Sequence, residues 1–257
     1  MSQITSEEER VLIEEILSTL STTSFACSSL EKLNGGSMNY VFRGQLRKAI
    51  TEDGPDAVVP VNTIVVKRTF GHLSVNRDFL VDIARCRFEK AVLGILTENF
   101  PTVTAGDGKG CVIRAPRLYM FDDATNTQVL EDLGGTLDVQ AILESPDVDK
   151  VFSNGSANSI GRALGEWLRT FHNWTSAPEQ ASIRNAIGSN ESMQELKYSV
   201  WYGMFIEILE RYPELLQDGY KEKLEKVQQA MRIDTDEFVS GKTKHCGLIH
   251  GDFWSGK

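Results

Sequence analysis

The stretch Leu248-Ile-His-Gly-Asp-Phe-Trp-Ser-Gly-Lys257 decides how the rest of the chain is interpreted. Its apolar lead-in, Cys246-Gly-Leu-Ile249, predicts a short strand that delivers His250 and Asp252 onto a loop. A loop on a rigid strand that displays a histidine and an aspartate is typical of a functional site. We therefore interpret three earlier features beside this loop: a glycine-rich turn, a lysine on a strand and a glutamate on a helix.

Length, composition and charge limit the classes of protein to which this chain can belong. The chain has 257 residues, 41% of them hydrophobic, which suffices for one large domain or two lobes. Its formal charge of −9 argues against a nucleic-acid-binding face, because phosphate backbones require basic surface. The four cysteines are scattered without CxxC spacing, which indicates reduced thiols. No apolar run approaches the roughly 18 residues of a membrane helix, and the acidic N-terminus does not resemble a signal peptide. We expect a cytoplasmic protein without nucleic-acid or membrane partners, and the oligomeric state stays open.

A helix is predicted close to the N-terminus, over residues 7–20. Ser6 and Glu9 have the spacing of a capping box. The apolar residues between Val11 and Leu20 then recur at helical spacing, which predicts one buried face.

The glycine-rich turn Asn34-Gly35-Gly36-Ser37 separates two predicted strands, residues 25–33 and 40–46. One interpretation is an ordinary hairpin turn. The other is a flap over the phosphates of ATP, since glycines let backbone amides approach an anion closely. Ser37 and Asn39 would then be further donors.

A lysine and a glutamate allow two interpretations each. Lys67 follows the β-branched strand residues from Thr63 onward, and it is either the exposed strand end or a phosphate ligand. Arg68 points to the opposite face of that strand. Glu89 lies on a helix predicted over residues 78–97, and it pairs either with Arg85 at i,i+4 spacing or with Lys67.

The secondary-structure pattern changes near residue 134. The pattern of residues 25–133 predicts an antiparallel sheet of about five strands interrupted by one helix. From Thr136 onward the pattern predicts helices. We therefore predict an α+β fold with an N-terminal lobe, residues 1–133, and a C-terminal lobe, residues 134–257. The segment from Val129 to Gly135 would be the hinge, whose backbone groups could bind an adenine edge.

Two predictions concern the helical part of the chain. Residues 193–209 and 214–231 are interpreted as amphipathic helices. The aromatic cluster of Trp201, Tyr202 and Phe205 is interpreted as core rather than as a binding site.

The terminal segment His250-Gly-Asp252-Phe-Trp-Ser-Gly256 resembles the catalytic loop of the aminoglycoside phosphotransferase family, a group of protein-kinase-like small-molecule kinases. Its Trp-Ser-Gly residues are closest to the fructosamine kinase-like branch. Weaker matches, in the family's order, cover the flap, lysine strand, helix glutamate, hinge and a C-lobe helix: residues 34–40, 65–67, 88–90, 129–133 and 164–172. The resemblance implies a protein-kinase-like two-lobe fold with an antiparallel-sheet N-lobe.

The same resemblance implies ATP as cofactor, Mg²⁺, and a small acceptor that carries a hydroxyl group. Lys67 would hold the ATP phosphates and Glu89 would hold Lys67. Asp252 would accept the proton of the acceptor hydroxyl, and His250 would brace the loop. The remaining nucleotide-binding positions, in the flap and the hinge, would be Gly35, Gly36, Ser37, Asn39, Glu131 and Leu133.

The chain departs from the family at its metal site. Lys257 stands where the family has an Mg²⁺-ligating asparagine, and the second metal-ligating aspartate would lie further on. We therefore assign no metal ligands, and expect a C-terminally truncated phosphotransferase with impaired activity. The alternatives are an inactive nucleotide- or partner-binding pseudokinase module, a gene-model fragment, or a purely structural helical protein. The acceptor stays unidentified.

Overall fold

The computed structural model describes residues 3–33, 36–53, 58–98, 100, 103–104, 112–134, 139–151, 154–214, 219–240 and 247–248. Its strands are β1 Cys27–Lys32, β2 Tyr40–Asp53, β3 Val58–Arg68, β4 Val103–Thr104, β5 Val112–Ile113, β6 Leu118–Asp122 and β7 Thr127–Glu131. Its α-helices are α1 Ser6–Leu20, α2 Arg85–Glu98, α3 Val139–Glu144, α4 Val148–Val151, α5 Asn154–Ser176, α6 Ala181–Ile187, α7 Glu191–Tyr198, α8 Phe205–Glu210 and α9 Tyr220–Val239.

Five of the strands form one antiparallel sheet in the order β1-β2-β3-β7-β6. The central strand, β3, pairs with β2 on one side and with β7 on the other. The short strands β4 and β5 pair with each other separately. The antiparallel sheet predicted for residues 25–133 is thus confirmed, as is the α+β class.

One face of this sheet is covered by α1. Buried residues of the helix and of alternate strand positions form a single core: Leu12, Ile16, Leu20, Cys27, Tyr40, Phe42, Leu46, Ile64, Val66 and Val129. Because successive side chains of a strand point to opposite faces, the burial of Ile64 and Val66 against α1 directs Lys67 to the other face. We call the face opposite α1, which carries Lys67, the charged face of the sheet.

The described residues group into two compact units, with the division between Phe171 and His172, inside α5. The first unit extends past the lobe boundary predicted after residue 133, so that boundary stays a prediction. An aromatic cluster in this unit joins Phe100 to α5, with ring centroids 5.4 Å from Trp167 and 5.9 Å from Phe171.

In the second unit, the helix predicted over residues 193–209 is divided. A π-helical turn, Ser199–Gly203, separates α7 from α8, and the helix predicted at 214–231 is α9, which begins at Tyr220. The Gln228 amide donates to the carbonyl oxygens of Tyr202 and Gly203, at 3.2 and 2.9 Å, and so satisfies groups that the widened turn leaves free. Trp201 is 60% exposed, so its assignment to a core was wrong.

The start of α2 also differs from the prediction. Residues 78–84 are not helical, because the backbone here bonds to the preceding loop: Val81 N donates to Gly71 O at 3.0 Å. The carboxylate of Asp82 then accepts from Ala84 N at 2.9 Å, which is a local turn that precedes a helix. Leu80, which lies in this non-helical segment, is 77% exposed. No helix in the described part of the chain is long and apolar enough to cross a bilayer.

The N-terminal capping box lies one residue earlier than predicted. Thr5, in an extended conformation, caps α1: Glu8 N donates to Thr5 Oγ1 at 3.2 Å, and Thr5 N donates to Glu8 Oε2 at 2.9 Å. The pattern of a hydroxyl residue followed three positions later by glutamate fits both Thr5 and Ser6. Glu9 instead pairs with Lys32 on β1, which selects the Thr5 register.

We expect Thr5→Ala to lower the free energy of unfolding by about 1 kcal/mol, because it leaves an amide of the first helical turn without its acceptor. Ser6→Ala is the matched control and should change it by less than about 0.5 kcal/mol. Denaturant unfolding followed by circular dichroism measures both. A larger loss for Ser6→Ala would show that the cap lies where the sequence pattern first placed it.

Candidate active site

The charged face of the sheet is organised around an ion pair between β3 and α2. Lys67 Nζ lies 2.5 Å from Glu89 Oε1, and the two side chains are 18% and 37% exposed. Of the two interpretations of Glu89, the pair with Lys67 is therefore the one that is present. The ammonium group is held in place while part of it stays accessible.

Gln128 holds the second oxygen of Glu89, and sequence reasoning missed it. Lys67 and Gln128 are direct partners across the β3–β7 ladder, so both side chains lie on the same face. The fully buried Gln128 donates to Glu89 Oε2 at 3.2 Å. Each carboxylate oxygen of Glu89 thus has its own donor. The sequence offered no clear signal for this role, since β7 contains the polar residues Thr127 and Glu131 as well.

The described part of the predicted flap is fastened to the loop that follows β3. Ser74 Oγ donates to Gly36 O at 3.2 Å and to Ser37 O at 3.0 Å, and Ser74 N donates to Ser37 O at 3.0 Å. Asn39 accepts from Arg85 at 3.1 Å. These bonds fix Ser37 and Asn39 near the start of α2. Gly35 lies outside the described residues.

The predicted hinge carries two acidic side chains, and both are paired. Asp132 receives two hydrogen bonds from Arg43 on β2, at 2.7 and 3.2 Å. Glu131 receives two from Arg114, at 2.5 and 2.6 Å. Since the side chain of Glu131 is engaged, its predicted contribution to an adenine edge is limited to the backbone. Leu133, which follows, is 36% exposed.

The hydrogen bonds from Arg114 lower the pKa of Glu131, and a further bond from Arg117 N, at 3.2 Å, acts in the same direction. Desolvation opposes this shift but is the smaller effect. Glu131 is therefore an ionised, structurally engaged carboxylate at the end of β7.

His250 and Asp252 lie outside the described residues, as does the rest of the terminal loop. Leu248, the first residue of that stretch, is described, and its backbone N–H donates to Thr175 Oγ1 near the end of α5, at 3.2 Å. Among the residues that the structure describes, no group of three or more His, Cys, Asp or Glu side chains could hold a metal ion. The structure thus brings together Lys67, Glu89 and Gln128, and it fastens Ser37 to Ser74 and Asn39 to Arg85.

The chain is similar in sequence to known phosphotransferases. It is 31% identical over 264 residues to phosphotransferase FrzJ from Cladobotryum sp., a match that covers 98% of this chain and 64% of that protein. It is 20% identical over 146 residues to 4-hydroxytryptamine kinase from Psilocybe cubensis, covering 57% of this chain and 36% of that protein. The chain thus spans less than two thirds of the length of both relatives. The resemblance to phosphotransferases predicted from the sequence is confirmed.

No protein-family model matches the sequence. The solved structure of a gentamicin–APH(2″)-IIa complex aligns with 89% of this chain and 58% of that chain, at 12% identity and a TM-score of 0.39.

The paired state of Glu131 predicts a pH dependence of stability. Its folded-state pKa lies below the ordinary value of 4.5, so its contribution is present above that pH and is lost as the pH falls through the folded pKa. Between neutral pH and about pH 3, wild type should therefore lose more unfolding free energy than Glu131→Gln. Glu179→Gln, at an exposed site, should behave as wild type. Identical pH profiles for all three proteins would contradict the assignment.

Proposed function

We propose that this chain is a small-molecule phosphotransferase that transfers the γ-phosphoryl group of ATP to a hydroxyl of a small acceptor. The observation that carries the proposal is the Lys67–Glu89 ion pair, with Nζ and Oε1 2.5 Å apart on the charged face of the sheet. A lysine positioned by a helix glutamate is the arrangement with which protein kinases hold the α- and β-phosphates. The similarity to proteins named phosphotransferase and kinase supports the same reaction class.

The described residues fit the phosphates of a nucleotide. Lys67 supplies a flexible point charge, and Glu89 and Gln128 limit the positions that its ammonium group can take. The exposed residues Gly36 and Ser37 present a backbone with little side-chain bulk. We propose that the flap covers the phosphates and that the backbone from Glu131 to Leu133 binds the base.

Transfer itself is assigned to the terminal loop. Asp252 would accept the proton of the acceptor hydroxyl, and His250 would brace the loop, as the family resemblance implies. In the family resemblance, Lys257 stands at the position of a metal-ligating asparagine, and a cation at that position does not fit Mg²⁺. Phosphoryl transfer by this chain would therefore be impaired.

Lys67→Met should weaken ATP binding at least about tenfold, because a charge-assisted contact to phosphate is lost. The matched control is Lys90→Met: Lys90 is the next residue to Glu89 on α2, but its ammonium group pairs with Asp123 at 3.1 Å. Isothermal titration of both variants with ATP measures the effect. Equal affinities for wild type and Lys67→Met would remove Lys67 from the site.

A transfer assay tests the reaction class. ATP consumption is measured over a panel of sugar-amine, choline-like, aminoglycoside and hydroxylated aromatic amine acceptors, with Asp252→Asn as the inactive comparison. Any turnover should be lost in Asp252→Asn, since the general base is removed. ATP that stabilises the fold equally with and without Mg²⁺, combined with no turnover, would support the pseudokinase alternative. Failure of ATP to stabilise the fold in either condition would contradict both functions.

A further inference from the structure

A buried arginine begins helix α2. Arg85 is 8% exposed, and its guanidinium group donates four hydrogen bonds to neutral oxygens. Nη1 donates to Phe70 O and Asp82 O, both at 2.9 Å. Nη2 donates to Met38 O and Asn39 Oδ1, both at 3.1 Å. One side chain therefore satisfies acceptors that are distant from one another in the sequence.

These acceptors belong to three segments with different positions in the site. Met38 and Asn39 end the flap, Phe70 follows the strand that carries Lys67, and Asp82 precedes α2. A planar guanidinium with donors in fixed directions can hold three segments at once, which a lysine ammonium cannot do with the same geometry. Removal of the buried guanidinium would therefore take away the one donor group that these half-buried or exposed residues share.

The position of Arg85 on the helix connects these segments to the ion pair. Arg85 and Glu89 are four residues apart, which is about one helical turn, so they lie on the same side of α2. Glu89 in turn contacts Lys67 and Gln128. A movement of the flap relative to α2 would break bonds to Arg85, and a movement of α2 would displace Glu89 from Lys67.

We propose that Arg85 is a positioning residue that couples the phosphate flap to the Lys67–Glu89 pair, so that flap and lysine hold the nucleotide phosphates as one unit. This inference rests on the proposed function. It assigns Arg85 a role that does not require contact with the nucleotide. Its effect should depend on the phosphates of the ligand and not on the base.

The matched comparison is Arg68, the next residue after Lys67. It is also partly buried, donates to Thr127 Oγ1 at 2.9 Å, and has its Cζ atom 5.4 Å from the centroid of the Phe70 ring. Arg68 lies on the α1 face of the sheet, opposite Lys67. Its removal should disturb packing to a similar degree without changing the flap.

The experiment is a titration of wild type, Arg85→Met and Arg68→Met with ATP and with adenosine. Arg85→Met should weaken ATP binding at least about tenfold while adenosine affinity changes less than about twofold. Arg68→Met should leave the ratio of the two affinities unchanged. If Arg85→Met does not fold, Arg85→Lys is measured with the same ligands. The same result is expected, because lysine keeps the positive charge but lacks the planar guanidinium with its fixed donor directions.

Unchanged ATP affinity, or equal weakening of both ligands, would overturn the proposed role. A wild type that binds ATP no better than adenosine would instead refute the proposed function. In that case amide hydrogen exchange of residues 36–39 tests the coupling by itself. Exchange there should be faster in Arg85→Met than in Arg68→Met, and equal rates would overturn the inference.

Discussion

The partly buried ion pair between Lys67 and Glu89 is the interaction on which the rest of the site depends. Such a pair contributes little when its partners are free to move, and its desolvation is costly unless further hydrogen bonds complete it. Here Gln128 supplies the further bond, at 3.2 Å, from a fully buried position on the neighbouring strand. The glutamate is thereby oriented from two sides, which determines where the lysine charge is presented.

The apolar core on the opposite face makes this orientation possible. Ile64 and Val66 are fully buried against α1, and they flank Val65 and precede Lys67 on β3. A shift of the β3 register by one residue would bury the lysine under α1 and expose the two apolar side chains. The register of the central strand, and with it the direction of the charge, is therefore determined by the burial of aliphatic side chains.

The strands could be predicted because they depend on short-range periodicity. The Lys67–Glu89 pair was one of two open interpretations, and only the folded geometry decides between them. The helix boundaries could not be predicted, since Thr5 and Ser6 satisfy the same capping pattern and only the long-range pair of Glu9 with Lys32 distinguishes them. The role of Arg85 could not be predicted either. Its acceptors on Met38 and Phe70 are backbone carbonyls, which every residue carries, so no sequence pattern marks them.

The pairs of Glu131 with Arg114 and of Asp132 with Arg43 affect how the charge of the chain would act on the proposed nucleotide, which is an anion. The chain carries a net charge of −9, which on average opposes the approach of an anion. Asp132 and Glu131 carry two negative charges in the predicted hinge, but each receives two hydrogen bonds from an arginine. Their charge is compensated locally, and their side chains are occupied. For the proposed nucleotide, this leaves the partly exposed Lys67, paired with Glu89, as the cation proposed to contact phosphate.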